Sequence, residues 1–300
     1  MRDASVGSHP SLGQALEQAA VQLARAGVPN GRREATSLWA VLAGVAPAEA
    51  WIRRDSPATE AVSVRFWEAV EQRASGVPFA YAVGRAAFRQ LDLKLDPRAL
   101  IPRPETEGLI DLVLACVNEG EREEGRGKGG AVADIGTGCG CIALSLAVEG
   151  SFERVVAVER SLDAAALARE NLERIRPGVT VEVREGDLLT PLGDERFRAI
   201  VANPPYLTTD EYEALDPSVR GFEPREALVS GADGLDATRA LIMGAGPRLE
   251  PGGLLALEID ERRADAVCAL ARAAGWARTT VREDLFGRPR YALVFPGEEA

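Results

Sequence analysis

Ala131–Gly140, AVADIGTGCG, decides the fold. Its first five residues form an apolar run too short for a helix, which predicts a buried strand. The run then breaks into glycines at 136, 138 and 140. Glycine tolerates positive φ and lets a ligand approach the backbone closely. Cys141–Val148 follows as a predicted helix, whose free N–H groups would face whatever occupies the turn. Working outward, Val155–Glu159 (VVAVE) reads as a second strand, Val179–Arg184 as a third and Phe197–Ala202 as a fourth. Asp236–Leu249 reads as a helix, Pro251-Gly252-Gly253 as a turn, Leu254–Ile259 as a strand and Arg262–Ala274 as a helix. Val281–Asp284 and Tyr291–Phe295 read as closing strands. Strands alternating with helices predict an α/β fold whose mostly parallel sheet is covered on both faces. The closing pair adds an antiparallel edge strand.

Nicotinamide and flavin enzymes also use a strand, glycine turn and helix. The dinucleotide fingerprint G-x-G-x-x-G/A, however, asks for Gly or Ala at 141, where this chain has Cys141. Glu159 ends the second strand where an acid can grip a ribose hydroxyl pair, or it is a solvated strand end. Asp187, after Gly186, is placed to reach an adenine amine, or it is an ordinary turn aspartate.

The fourth strand runs into Asn203-Pro204-Pro205-Tyr206. Two prolines fix φ at about −65° and remove two N–H donors, so the carbonyls of Asn203 and Pro204 are held outward with no ladder to join. The Asn203 side-chain oxygen and a neighbouring carbonyl can each accept one hydrogen of a planar –NH2 group, and Tyr206 offers a ring face. Such a site positions a nitrogen for attack. It holds no evident base, nucleophile or metal ligand, so the electrophile must come from a cofactor.

Upstream, Ser11-Leu-Gly-Gln14 has the form of a capping box, and Leu12, Ala15, Leu16, Ala19, Ala20 and Leu23 fall on one helical stripe. Arg32–Leu42 and about Thr59–Ala74 are further helices, making a small helical domain over residues 1–77. In Pro78–Pro102 the apolar period drops to two at Leu91, Leu93 and Leu95, which predicts a hairpin connector over 78–102. The remaining 103–300 form the larger domain. Arg103-Pro104-Glu105-Thr106-Glu107 opens a helix through about Val117, with proline and acids suited to its first turn. Glu119–Gly130 lacks apolar period and reads as a flexible loop. Leu207–Gly234 is a long irregular segment, assigned to substrate binding and cleft closure.

With 35 basic and 46 acidic residues, the formal charge of −11 argues against tight sequence-independent binding to nucleic acid. No stretch reads as a signal peptide or membrane span, so a cytoplasmic protein is expected. Cys116, Cys139, Cys141 and Cys268 lack the spacing of a metal or disulfide framework, and the only histidine is His9. No metal is expected, and hydrolase chemistry built on histidine is disfavoured.

The Gly136 loop, Glu159, Asp187 and the Asn203 tetrapeptide together resemble the S-adenosylmethionine-dependent methyltransferases that modify planar amino groups. Leu100–Glu107 (LIPRPETE), Phe222–Leu228 (FEPREAL) and Gly231-Ala-Asp-Gly-Leu235 narrow the resemblance to the release factor glutamine methyltransferases, over about Pro78–Tyr291. The resemblance implies a Rossmann-like class I fold and an N-terminal helical domain that helps grip a protein substrate. It implies S-adenosyl-L-methionine as cofactor, held by Asp134, Gly136, Thr137, Gly138, Cys139, Gly140, Glu159, Asp187, Leu188 and Asn203. The catalytic set it implies is Asn203, Pro204, Pro205 and Tyr206. The implied reaction methylates the side-chain nitrogen of the glutamine in a Gly-Gly-Gln loop of peptide chain release factors. Partners are then release factors, with no stable nucleic acid or membrane contact, and a monomer is expected. Three positions depart from the family pattern: Cys139 for Ser or Thr, Leu188 for an aromatic, and Glu159 for the more frequent Asp. Glutamine methylation of a ribosomal protein, amino-methylation of adenine or cytosine, and a silent binding protein stand as alternatives.

Overall fold

The computed structural model describes residues 11–57, 60–124 and 129–297. The chain divides into two compact units, the first ending at Gly84 and the second beginning at Arg85. The expected connector is thus shared: Phe79–Val83 is a short helix of the first unit, and the hairpin opens the second.

The first unit is helical, with helices at Leu12–Arg25, Gly31–Ala43, Pro47–Ile52, Glu60–Ala74 and Phe79–Val83. The Ser11 hydroxyl accepts from Gln14 N while the Gln14 side chain accepts from Ser11 N, so the capping box forms as read. Leu12, Leu23, Leu38, Phe66 and Val70 close into one buried core. The two shortest helices escape a period-based reading because one and a half turns repeat no apolar position. Thr59, read as the start of the third helix, lies outside the described residues.

The second unit opens on an antiparallel hairpin of β1 (Arg85–Phe88) and β2 (Leu91–Lys94). Its main sheet contains β3 (Ala131–Ile135), β4 (Arg154–Glu159), β5 (Thr180–Glu185), β6 (Phe197–Ala202), β7 (Leu249–Glu258), β8 (Arg278–Glu283) and β9 (Pro289–Phe295). Their order is β5-β4-β3-β6-β7-β9-β8. The first five are parallel, and β9 inserts antiparallel between β7 and β8, so the antiparallel edge is a strand pair. All residues of β3 and β6 are buried, as strands sandwiched between two helical layers must be.

Three readings change. The helix opened by Pro104 runs to Glu124, beyond Val117 and into the stretch read as a loop. Glu and Arg are strong helix formers, so that polar stretch extends a helix without an apolar stripe. Pro251-Gly252-Gly253 lies within β7, where the register against β6 jumps between Phe197↔Leu249 and Ala199↔Leu254. The turn is swallowed as an irregularity, with Gly252 at φ +74°. Finally, 207–234 carries short helices at Thr209–Glu213 and Pro217–Arg220 and a 3-10 turn at Arg225–Ala227. It is closed on itself at Leu207, the residue after the tetrapeptide, by Leu207 N donating to Leu228 O (2.9 Å) and Ser230 N to Leu207 O (2.8 Å).

The chain builds the sheet outward from β3 to β5, then returns to place β6 on the other side of β3. Strand order reverses at β3/β6, and Ile135 pairs with Ala202. The glycine loop and Asn203 therefore leave neighbouring strands at the same end, where open α/β sheets form their ligand crevice.

Candidate active site

A cavity of about 420 Å³ opens at that reversal. Gly136, Gly138, Glu159, Asp187, Leu188, Asn203 and Pro205 all line it. Gly136 and Gly138 adopt φ of +75° and +57°. A Cβ on Gly136 would meet no protein atom within 4 Å, and one on Gly138 only the Ala99 methyl at 3.9 Å. Both glycines thus present bare backbone to open space. Gly140 differs: its Cβ would come 3.2 Å from Leu144, so this glycine turns the chain into the helix.

Asp134, Thr137, Cys139 and Gly140 stand behind the lining and shape the loop. The fully buried Asp134 Oδ2 accepts from Thr137 Oγ1 (2.5 Å) and from Ala143 N (3.0 Å), which ties strand, turn and helix together. Among the described residues its Oδ1 has no partner, and burial pushes the carboxyl up to about 7 against those two bonds. Cys139 is buried, and its carbonyl accepts from Asn171 Nδ2 at 2.9 Å. The Cys141 thiol is raised well above its ordinary value by its hydrogen bond with Cys139 and by burial. Among the described residues no cluster of three or more His, Cys, Asp or Glu offers a metal site.

Glu159 closes the loop from the next strand. Its Oε2 accepts from Gly138 N and its Oε1 from Ser161 N, both at 2.9 Å. Each carboxylate oxygen keeps a second lone pair for a ligand hydroxyl. Asp187 sits at the rim with its side chain 63% exposed, 3.8 Å from Arg160. Leu188 takes a left-handed φ of +46°, which brings an aliphatic side chain to the wall where an aromatic was the family expectation.

The opposite wall is built from distant segments. Asn203 Nδ2 donates to Thr106 Oγ1 at 3.1 Å, and Thr106 donates to Glu258 Oε2 at 2.7 Å. Glu258 and Thr106 are both buried. Burial pushes the Glu258 carboxyl up to about 7, against the Thr106 bond and the charge of Arg290. Pro205 lines the cavity, whereas Pro204 is buried and Tyr206 half-buried off its lining. Burial, helped by Glu258, holds the Tyr206 phenol up to about 12, so it stays protonated. No described backbone N–H is bonded to the Pro204 carbonyl.

Two sequence segments meet here. Buried Glu223 accepts from Arg103 Nη2 (2.7 Å) and Ile101 N (3.2 Å), joining LIPRPETE to FEPREAL. The Arg103–Glu107 stretch also opens its helix as expected, and Tyr291 Oη donates to the Glu105 carbonyl at 2.6 Å. Thr106, Glu223 and Glu258 carry no individual signal within the motifs that contain them, with one exception. For Glu258 a signal existed: an acid closing the apolar run Leu254–Leu257, at the end of a central strand.

The model of the PrmC N-terminal domain matches residues 14–84, and that of the methyltransferase small domain matches 115–216. A release factor glutamine methyltransferase of Moorella thermoacetica is 40% identical over 290 residues, 96% of this chain and 100% of that protein. Those of Streptomyces coelicolor and Deinococcus radiodurans are 38% and 39% identical, covering 93% and 92% of this chain and 96% and 95% of theirs. A methyltransferase from Pyrococcus furiosus superposes with a TM-score of 0.52 at 21% identity, over 75% of this chain and 98% of that one. The N-terminal domain of human METTL16 in complex with SAH gives 0.53 at 18%, over 87% and 94%. At these identities the structural likeness carries the fold alone.

Proposed function

The chain belongs to the release factor glutamine methyltransferase family, and we propose that it methylates the side-chain amide nitrogen of the Gly-Gly-Gln glutamine in peptide chain release factors, using S-adenosyl-L-methionine. The residues present fit that cofactor, because Gly136 and Gly138 turn bare backbone onto a cavity of about 420 Å³ that Glu159 and Asp187 also line. In this reading Glu159 takes the ribose hydroxyls, Asp187 and Leu188 the adenine, and Asp134, Thr137, Cys139 and Gly140 hold the loop to shape. When bound, the cofactor supplies an electrophilic methyl carbon on a sulfonium sulfur.

An amide nitrogen is a poor nucleophile because its lone pair is delocalised into the carbonyl. The protein's task is therefore to orient it. Asn203 Oδ1 and the Pro204 carbonyl accept the two amide hydrogens, draw electron density onto nitrogen and hold it toward the methyl carbon. Pro205, which lines the cavity, confines the amide plane, and Tyr206, off the lining, is proposed to assist it. With the cofactor bound, the amide nitrogen would take the methyl group it supplies, and one amide proton would leave to water. Asn203 serves both roles, since it lines the cofactor cavity beside the glycine loop and offers Oδ1 to the amide.

The observation that carries this reading is the placement of Asn203 beside the glycine loop across the β3/β6 reversal, in one cavity. The net charge of −11 supports a protein partner over stable nucleic acid binding, and the reading carries with it a monomeric cytoplasmic enzyme. The helical unit is the part we assign to gripping the release factor. The test is methyl transfer from labelled cofactor to intact release factor, a Gly-Gly-Gln peptide, a ribosomal protein and nucleic acid, each separately. Release factor should be methylated, with the peptide a far poorer substrate. Preferential labelling of a ribosomal protein or of nucleic acid would remove this reading.

A further inference from the structure

A carboxamide has an accepting end and a donating end, and only the accepting end can serve a substrate –NH2 group. At Asn203 the choice is made by residues that do not touch the cavity. Asn203 Nδ2 donates to Thr106 Oγ1, and Thr106 donates to Glu258 Oε2. While Glu258 is ionised, valence makes that direction obligatory. A carboxylate only accepts, so the Thr106 hydroxyl gives its single hydrogen to Glu258 and has only lone pairs left for Asn203. Asn203 must then turn its nitrogen toward Thr106. Its Oδ1 is left without a protein donor among the described residues, on a side chain that lines the cavity.

We propose that Thr106 and Glu258 are positioning residues that lock the Asn203 carboxamide with its oxygen toward the substrate amide. The proposal rests on the methyl-transfer reading above for its consequence on rate. It gives Arg103–Glu107 a task beyond starting a helix: the segment carries the middle member of the relay.

The relay also has a pH sense. Glu258, on β7, is faced by Arg103 and Glu105 from the helix start, by Tyr206 from the tetrapeptide, and by Arg290 and Tyr291 from β9. Arg290 is itself paired with Asp284, and Asp260 lies two residues along from Glu258. Burial outweighs both arginines and pushes the carboxyl up to about 7. Once protonated, Glu258 can donate to Thr106, whose hydrogen is then free for Asn203. The carboxamide can turn over and present –NH2 to the cavity, which repels a substrate amine. The competent form is the deprotonated one, so the rate falls as pH drops through the Glu258 titration.

One measurement needs no substrate. The Asn203 side-chain 15N–1H2 resonances, assigned by their absence from Asn203→Ala, should follow a single pH titration in the wild-type protein. That titration should vanish in Glu258→Gln and Thr106→Val, with both variants retaining a cooperative unfolding transition. A titration that survives in both variants, or is missing from the wild type, overturns the proposal. The second measurement is turnover on intact release factor. Thr106→Val should lower kcat roughly ten- to hundredfold. KM and calorimetric affinity for S-adenosylhomocysteine should stay within about twofold. Thr106→Ser should restore most of the rate, and Glu258→Gln should flatten the acid limb of the kcat profile. Wild-type kcat in Thr106→Val overturns the proposal. A wild-type protein that methylates no release factor, yet shows the resonance titration and its loss in the variants, removes the methyl-transfer reading and leaves the relay standing.

Discussion

The two walls of the cavity are held in opposite ways. At the glycine wall the ties are shorter: Asp134 reaches Thr137 and Ala143 over sequence separations of 3 and 9, Glu159 reaches Gly138 over 21, and Asn171 reaches the Cys139 carbonyl over 32. At the Asn203 wall the ties span 97 residues to Thr106 and 152 more from Thr106 to Glu258. The continuous stretch from β3 to the turn after β5 can therefore build the first wall alone, whereas the second exists only when the helix start, β6 and β7 have all docked. The difference separates functions: substitutions at the glycine wall should act on cofactor affinity, and those at the Asn203 wall on rate.

The sharpest way to break this division is Asn203→Ala. Removing one acceptor of the amide hydrogens should cost about 100-fold or more in kcat, by analogy with a deleted oxyanion donor. Calorimetric affinity for the cofactor should change far less, although Asn203 lines the same cavity. Near-normal turnover would rule out amide docking at this residue.

Gly138→Val tests the other wall. Gly138 sits at φ +57°, where a left-handed backbone costs an L-residue about 1–2 kcal/mol, and its new side chain would project into the cavity. We expect cofactor affinity to fall roughly 10- to 100-fold, the range that strain and lost space together imply. At saturating cofactor, kcat should recover much of its wild-type value. Calorimetry with saturation kinetics checks both halves, and an affinity equal to wild type would place the cofactor elsewhere.

Glu159→Gln should have a smaller effect of the same kind. The amide keeps one acceptor for Gly138 N or Ser161 N but loses the charge that both backbone bonds and a ribose hydroxyl pair favour. A drop of about tenfold in cofactor affinity is expected, in keeping with the loss of a charge-assisted hydrogen bond. Unchanged affinity would make Glu159 a loop clasp only.

The same local-versus-distant contrast decides what the sequence discloses. The buried strands β3, β4 and β6 announce themselves as apolar runs of strand length, and the glycines at 136 and 138 announce the loop, because each depends on its neighbours in the chain. Asn203 is legible from its prolines. Thr106 is not: inside RPETE it reads as one more helix-start residue, and its partners lie on strands whose order no local pattern reveals. The helix beyond Val117 and the irregularity at Pro251–Gly253 are missed for another reason. Polar helix propensity and a register jump leave no apolar period to read. Even Tyr206, recognisable as part of the tetrapeptide, is placed off the cavity lining by packing that only the folded chain defines.

Each wall also carries one buried carboxyl raised to about 7, Asp134 on the glycine side and Glu258 on the other. Both lie above the ordinary carboxyl values of 3.8 and 4.5. The native state therefore binds more protons than the unfolded chain between the two values, and stability rises as pH falls from 8 toward 5. The ion-paired carboxylates Asp96, Glu170 and Glu211, all lowered, stay charged in the folded protein through this window and oppose the trend only at its acid end, where the unfolded carboxyls begin to protonate. Asp134→Asn keeps an oxygen for Thr137 Oγ1 and Ala143 N but has no proton to gain. Its rise in Tm between pH 8 and pH 5.5 should be smaller than that of wild type by a few degrees, since a domain of this size moves about 2–4 °C per kcal/mol. The residual rise belongs to Glu258 and should shrink further in the double variant with Glu258→Gln. Equal rises in wild type and Asp134→Asn would mean that the buried aspartate stays ionised, and that the local ties of the glycine wall outweigh its burial.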